Sequence, residues 1–196
     1  MSAGTPAPRK LRVATVSLAG CFGCHMSFLD IDERLFDLIE VIEFDRSPLT
    51  DIKTVGPCDI GLVEGGLCNA ENVEVLRAFR DQCRVLVAVG ACAITGGLPA
   101  LRNHLDVGEM MQAVYGEVPN DPELPLPLNR VLPIHEVVQI DHALPGCVEK
   151  CSAGNCGNGD GDEPEQHEPQ TLDAGDRQQI AIYKRNAAKN HKNTYR

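Results

Sequence analysis

The sequence predicts an α/β fold in which a doubly wound parallel sheet is covered by helices. Three observations carry that expectation. Short apolar, β-branched runs alternate with stretches of helical periodicity. Most of the runs end in glycine, at Ala19-Gly20, Gly65-Gly66 and Gly90. The apolar mass is Val, Leu, Ile and Ala: hydrophobic residues make up 43% of the 196, aromatics only 4%, and Trp is absent. Such a composition suits strands buried on both faces, and a chain of this length can bury a full core as one domain.

Residues 11–18 (LRVATVSL) read as the first strand and 25–40 as a helix, with Met26, Leu29, Leu35, Leu38 and Ile39 on one face. A second strand is expected at 41–45, stopped by Ser47-Pro48. Residues 59–64 (DIGLVE) form a third strand and 84–89 (RVLVAV) a fourth. Between them, 69–83 reads as an amphipathic helix with Val73, Leu76 and Phe79 on its apolar side. Residues 98–115 read as helical in two pieces, broken near Val107-Gly108. The proline-rich stretch 118–133 is expected to be an irregular surface loop, and 136–140 a short fifth strand. Right-handed crossovers leave few ways to connect such an order, and a flavodoxin-like sheet is the expectation. Residues 1–10 make a short N-terminal extension, 11–147 the folded domain, and 148–196 an irregular polar tail.

A formal net charge of −10 argues against a nucleic-acid partner, because nothing neutralises a row of phosphates. No apolar stretch is long enough for a signal h-region or a membrane span, and no twin-arginine pair occurs. The expectation is a cytoplasmic protein with no membrane attachment. In that setting nine cysteines point to metal ligation or redox work rather than disulfides.

On the expected fold, Cys21 and Cys24 lie in the loop after the first strand, Cys92 after the fourth and Cys147 after the fifth. Loops that follow parallel strands leave the sheet at one rim, where open α/β folds bind ligands. Four converging thiolates suit zinc, Cu(I) or an iron–sulfur centre. Alone, Cys21-Phe22-Gly23-Cys24 also fits thioredoxin-type chemistry or half a zinc site. Structural zinc usually takes a second paired clip, however, and Cys92 and Cys147 are singles beside glycines. A thioredoxin motif would sit at the head of a helix and needs no third or fourth cysteine.

Glu64 ends the third strand on the same rim. It could hydrogen-bond next to the ligands, relay protons, ligate, or simply be solvated. His25 is either a satisfied structural histidine or an interface residue. Cys58 and Cys83 read as small buried hydrophobes. So does Cys68, with a place near the rim as its alternative. Cys151 and Cys156 are incidental or form a second clip.

Cys21-x-x-Cys24-His-Met-Ser-Phe-Leu-Asp30, Val63-Glu64-Gly65-Gly66, Gly90-Ala91-Cys92-Ala93 and Leu144-Pro145-Gly146-Cys147 fall in that order. Together they resemble the small subunit of nickel–iron hydrogenases, above all the short small subunit of cytoplasmic, NAD-reducing (bidirectional) enzymes. The likeness covers about 11–147. It implies that Cys21, Cys24, Cys92 and Cys147 bind one 4Fe–4S cluster, proximal to a nickel–iron centre held by a separate large subunit. It implies further that this chain passes electrons without bond chemistry of its own. A diaphorase module with flavin and further iron–sulfur clusters would hand them to NAD, making the whole a hydrogen:NAD oxidoreductase. FMN in this subunit too is an implication drawn from some members.

The likeness stops at Cys147. The family continues Pro-Gly-Cys-Pro-Pro, whereas Val148-Glu149-Lys150-Cys151 follows here, which leaves Cys151 or Cys156 as substitutes for Cys147. The rival readings are a hydrogenase small subunit feeding another acceptor, such as a deazaflavin, and the cluster-bearing subunit of respiratory complex I. The latter shows an adjacent Cys-Cys pair in place of Cys21-x-x-Cys24. A zinc-stabilised interaction module and a flavoprotein with incidental cysteines complete the set.

Overall fold

The structure, a computed structural model, describes residues 9–52, 54–116 and 123–147. Along the chain come β1 (Leu11–Ser17), α1 (Gly23–Leu29), α2 (Arg34–Val41), β2 (Ile42–Phe44), β3 (Cys58–Glu64), β4 (Leu67–Asn69) and α3 (Ala70–Gln82). They are followed by β5 (Cys83–Val89), α4 (Gly90–Thr95), a 3-10 segment (Leu98–His104), α5 (Val107–Tyr115), β6 (Pro127–Leu132), a 3-10 turn (Ile134–Glu136) and β7 (His142–Leu144). Five strands pair in parallel in the order β2-β1-β3-β5-β7, the doubly wound arrangement that the alternation predicts.

Period-two side chains put Ala14 and Val16 of β1, Val63 of β3 and Leu86 and Ala88 of β5 into one core. Against them lies α3, whose Val73, Leu76 and Phe79 recur every three residues and are fully buried. Asn69 starts that helix by accepting a hydrogen bond from Asn72 N, satisfying a donor that no helical carbonyl can reach. The antiparallel ribbon β4–β6 adds Leu67, Leu128 and Leu132 to the same core. On the other face α1 rests against Thr15 through His25, while Ile60, Leu62 and Val85 are only half-buried.

The structure departs from the sequence expectation in five places. The helix expected at 25–40 is two helices, because Asp32 takes a left-handed conformation (φ 51°) that no helix continues through. The break expected near Val107-Gly108 lies earlier: Asp106 caps α5 by accepting from Glu109 N, so Val107 and Gly108 open that helix. Two short strands were unforeseen. β4 follows Gly66, and β6 occupies part of the expected irregular loop 118–133, of which 118–122 lie outside the described residues. Proline is tolerated in β6 because Pro127 is its first residue, in a ribbon of two strands. The fifth sheet strand is His142–Leu144 rather than 136–140. There Val137, Val138 and Ile140 are apolar because they pack on the core, not because they pair. Asp141 sets the true register: its N donates to Leu86 O, and its carboxylate accepts from Leu86 N (2.7 Å) and Arg80 (2.9 Å). The tail, 148–196, and residues 1–8 lie outside the described residues. Among the described residues no helix is long and apolar enough to cross a membrane.

Phe79→Ala should cost about 3–5 kcal/mol, the range for emptying an aromatic site in a closed core. Phe36→Ala, at a side chain 70% exposed, should stay within about 0.5 kcal/mol. Urea titration of the two variants checks the contrast.

Candidate metal centre

The rim at the carboxyl ends of β1, β3, β5 and β7 is knitted by backbone hydrogen bonds between its loops. Ala19 and Gly66 exchange both bonds, at 3.0 and 2.8 Å, joining the segment after β1 to that after β3. Ala91 N donates to Gly146 O at 2.8 Å, joining the segment after β5 to that after β7. Cys21, Cys24, Cys92 and Cys147 hang from these segments. Cys21 is exposed and the other three are half-buried. The four are close enough for charge on one to bear on others: Cys21 and Cys92 act on Cys24, and Cys21 and Cys147 act on Cys92.

Two glycines give these sulfurs room. Gly90 has φ 83°, and a Cβ there would fall 2.4 Å from Cys24 Sγ. Gly97 has φ 51°, and its Cβ would fall 2.7 Å from Cys92 Sγ. No residue with a side chain fits either place. The structure corrects the expectation that these cysteines lie in loops: Cys24 lies in the first turn of α1 and Cys92 in that of α4. A place at a helix head therefore no longer separates this clip from a thioredoxin motif. What separates them is the presence of Cys92 and Cys147 on the same rim. The donors are all sulfur, the set that iron–sulfur clusters take. Among the described residues no three His, Cys, Asp or Glu side chains gather at the spacing of a single metal ion.

Glu64 is 3% exposed, so it is no solvated strand-end acid. Its Oε2 accepts from Cys24 N at 3.0 Å and its Oε1 from Ser17 Oγ at 2.8 Å. His25 Nδ1 lies 2.8 Å from Oε1, off the line of a good hydrogen bond, so the contact is close but poorly aligned. Burial works against the Glu64 charge, but His25, Ser17 and the Cys24 side chain outweigh it and hold the carboxyl below its ordinary value. The polar line continues inward. His25 Nε2 meets Thr15 Oγ1 at 2.8 Å, and Thr15 Oγ1 meets Ser47 Oγ at 2.6 Å. Phe22, held at φ 66°, stacks on the His25 ring at 4.7 Å. His25 is thus a buried structural residue. Thr15, Ser17 and Ser47 escaped sequence reasoning; the one available signal was the placement of Thr15 and Ser17 on the strand beside Glu64.

The remaining cysteines divide as follows. Cys58 and Cys83 are buried, as expected. Cys68 is half-buried on β4, pushed up by burial, and within electrostatic reach of Cys92. Cys151 and Cys156 lie outside the described residues.

Comparison with known proteins places this rim in a family. The family described as NADH ubiquinone oxidoreductase, 20 Kd subunit, matches residues 21–152. The chain belongs to that family. Within it, the named relatives are hydrogenase subunits. The NAD-reducing hydrogenase HoxS subunit delta of Cupriavidus necator is 45% identical over 150 residues, covering 70% of this chain and 72% of that protein. A subunit of the F420-non-reducing hydrogenase vhu of Methanococcus voltae is 34% identical over 147 residues, covering 70% of this chain but only 51% of that protein. A crystal structure of an NAD+-reducing NiFe-hydrogenase in the H2-reduced state superposes with a TM-score of 0.70 at 64% identity, covering 71% of this chain and 83% of that one. The resemblance read from the four motifs therefore holds: the chain is of the NAD-reducing hydrogenase small-subunit kind, one subunit of an oxidoreductase complex.

In the metal-free chain Cys24 should resist alkylation at neutral pH. Burial, then the Glu64 charge and hydrogen bond, then Cys21 and Cys92 raise its pKa to about 12. Each of these disfavours the thiolate, so labelling should trail that of exposed Cys21 and rise only in strong alkali. Glu64→Gln removes the nearest negative charge and should shift the Cys24 labelling curve to lower pH. Peptide mass spectrometry after iodoacetamide treatment across a pH series checks this.

Proposed function

We propose that Cys21, Cys24, Cys92 and Cys147 hold one 4Fe–4S cluster. In this reading the chain is the electron-transfer small subunit of a cytoplasmic NAD-reducing nickel–iron hydrogenase. The observation that supports it is the gathering of four thiols from three parts of the sequence on one interlocked rim. When bound, the cluster would supply one-electron transfer between the nickel–iron site of a large subunit and a diaphorase module that reduces NAD. The protein's own residues fix the place of that group. Gly90 and Gly97 leave space for the Cys24 and Cys92 sulfurs. Glu64 anchors the Cys24 backbone, and through Ser17 and His25 the carboxylate itself is kept from swinging. The isolated chain breaks and makes no bonds in hydrogen. An FMN in this subunit would find the Arg46 guanidinium for its phosphate in the crevice lined by Thr15, Ser17, Arg46, Ser47 and Thr50.

Ligation requires thiolates, so loading has to displace the protons that burial and Glu64 hold on Cys24. Anaerobic reconstitution of the full chain with iron and sulfide should yield about four of each per chain, with broad visible absorption. Cys92→Ser should lower both contents. One zinc per chain, with no bound sulfide, would overturn the assignment in favour of an interaction module.

A further inference from the structure

A second pair of thiols lies at the amino-terminal rim of the sheet, opposite the candidate metal centre. Cys58 opens β3 and Cys83 opens β5, and the two are register partners on adjacent parallel strands. Their Sγ atoms are 3.3 Å apart. Both are held in place. Cys83 Sγ donates to Phe79 O at 3.1 Å, and a Cβ at Gly61 would fall 2.3 Å from that sulfur. Cys83 therefore fills the space that glycine leaves empty. Paired strands run about 4.8 Å apart, and a disulfide spans Cα separations of about 4.4–6.8 Å. Bond formation needs the sulfurs to approach by only about 1.3 Å more, a movement that side-chain rotation can supply without parting the strands.

We propose that Cys58 and Cys83 form a reversible two-electron oxidation site, in which a small hydroperoxide converts the dithiol to a disulfide. The Cys58 thiolate attacks one peroxide oxygen and the O–O bond breaks. Cys58 becomes a sulfenic acid, and the departing oxygen collects a proton and leaves as water. The Cys83 sulfur then attacks the Cys58 sulfur. An S–S bond forms, the S–O bond breaks, and the hydroxide leaves with the Cys83 proton as a second water. Two thiols and one hydrogen peroxide thus give one disulfide and two waters.

The surroundings divide the roles. The contact with the Cys83 sulfur holds Cys58 below the ordinary thiol value against the effect of burial, helped by Ala14 N–H and by Arg12. The same contact, then burial, pushes Cys83 up. Cys58 is the attacking group and Cys83 the resolving one. The pair is 6% and 8% exposed, which favours a small oxidant such as a hydroperoxide over a bulky disulfide such as glutathione disulfide. Seven-residue strands put about 20 Å between this rim and the other, so the bridge would consume none of the four candidate ligands. It does not depend on what those ligands bind.

The test uses the full chain, reduced, exposed to a few equivalents of hydrogen peroxide, alkylated, and digested with trypsin without reductant. Residues 81–84 should be recovered joined to residues 54–77 with two hydrogens lost, and fragment ions should place the bridge on Cys58 rather than Cys68. Dithiothreitol should restore both thiols, and glutathione disulfide should not form the bridge. Cys83→Ala should abolish the bridge and leave Cys58 oxidised on its own, as sulfenic or sulfinic acid. Recovery of Cys58 and Cys83 as alkylated thiols, under an exposure that oxidises Cys21 in the same sample, would overturn the proposal. So would a bridge to Cys68. Both outcomes are read in the unsubstituted chain and do not depend on the variant folding.

Discussion

Parallel pairing of β1, β3, β5 and β7 sends four segments of chain out through the same rim, and backbone hydrogen bonds lock those segments to one another. Sequence distance stops mattering there. Cys21 and Cys147 share a rim because the strands before them point the same way, not because any local motif joins them. The loops have little freedom to drift, since Ala19–Gly66 and Ala91–Gly146 tie each to a neighbour across the sheet. A rim held in this manner is pre-shaped, so whatever binds there loses little to ordering the loops.

Glu64 is the expensive part of the arrangement. An ionised carboxylate out of water is unfavourable by several kcal/mol unless its lone pairs are occupied. Here Ser17 and the Cys24 N–H donate to them, and the His25 ring lies close by. The same set spreads the constraint inward to Thr15 and Ser47, beneath the loop after β2. A buried polar line of this sort is easily disrupted at any member, because each removed partner leaves another unsatisfied. It also couples the clip to the interior: α1 cannot shift without moving His25, and His25 cannot move without disturbing both Thr15 and the carboxylate.

The parts of the fold that were legible in the sequence are those with a local cause. β1, β3, α3 and β5 announce themselves by β-branched runs or by the three-residue recurrence of Val73, Leu76 and Phe79. What escaped has a distant cause. β6 forms in a proline-rich stretch only because β4 offers it a partner, and β7 is fixed by Asp141 reaching Leu86 and Arg80. The six-residue α4 is too short to show periodicity, which is why Cys92 read as a loop residue. Asp32 splits one expected helix into two without proline or glycine to signal it. The rim cysteines and Glu64 were readable because position after a strand is itself a local property. The hydroxyls of Thr15, Ser17 and Ser47 were not, since nothing in an apolar strand marks which hydroxyl will find a buried partner.

The four cysteines are spread from the first turn after β1 to the third residue after β7. A nascent chain leaving the ribosome exposes the Cys21–Cys24 clip early, while the complement to it is still unmade. The fourth sulfur arrives only when every strand of the sheet has been synthesised and β7, the short outer one, has docked. The rim therefore holds all four thiols only in a chain whose β7 is in place. A chain truncated before Cys147 would lack the last of these thiols.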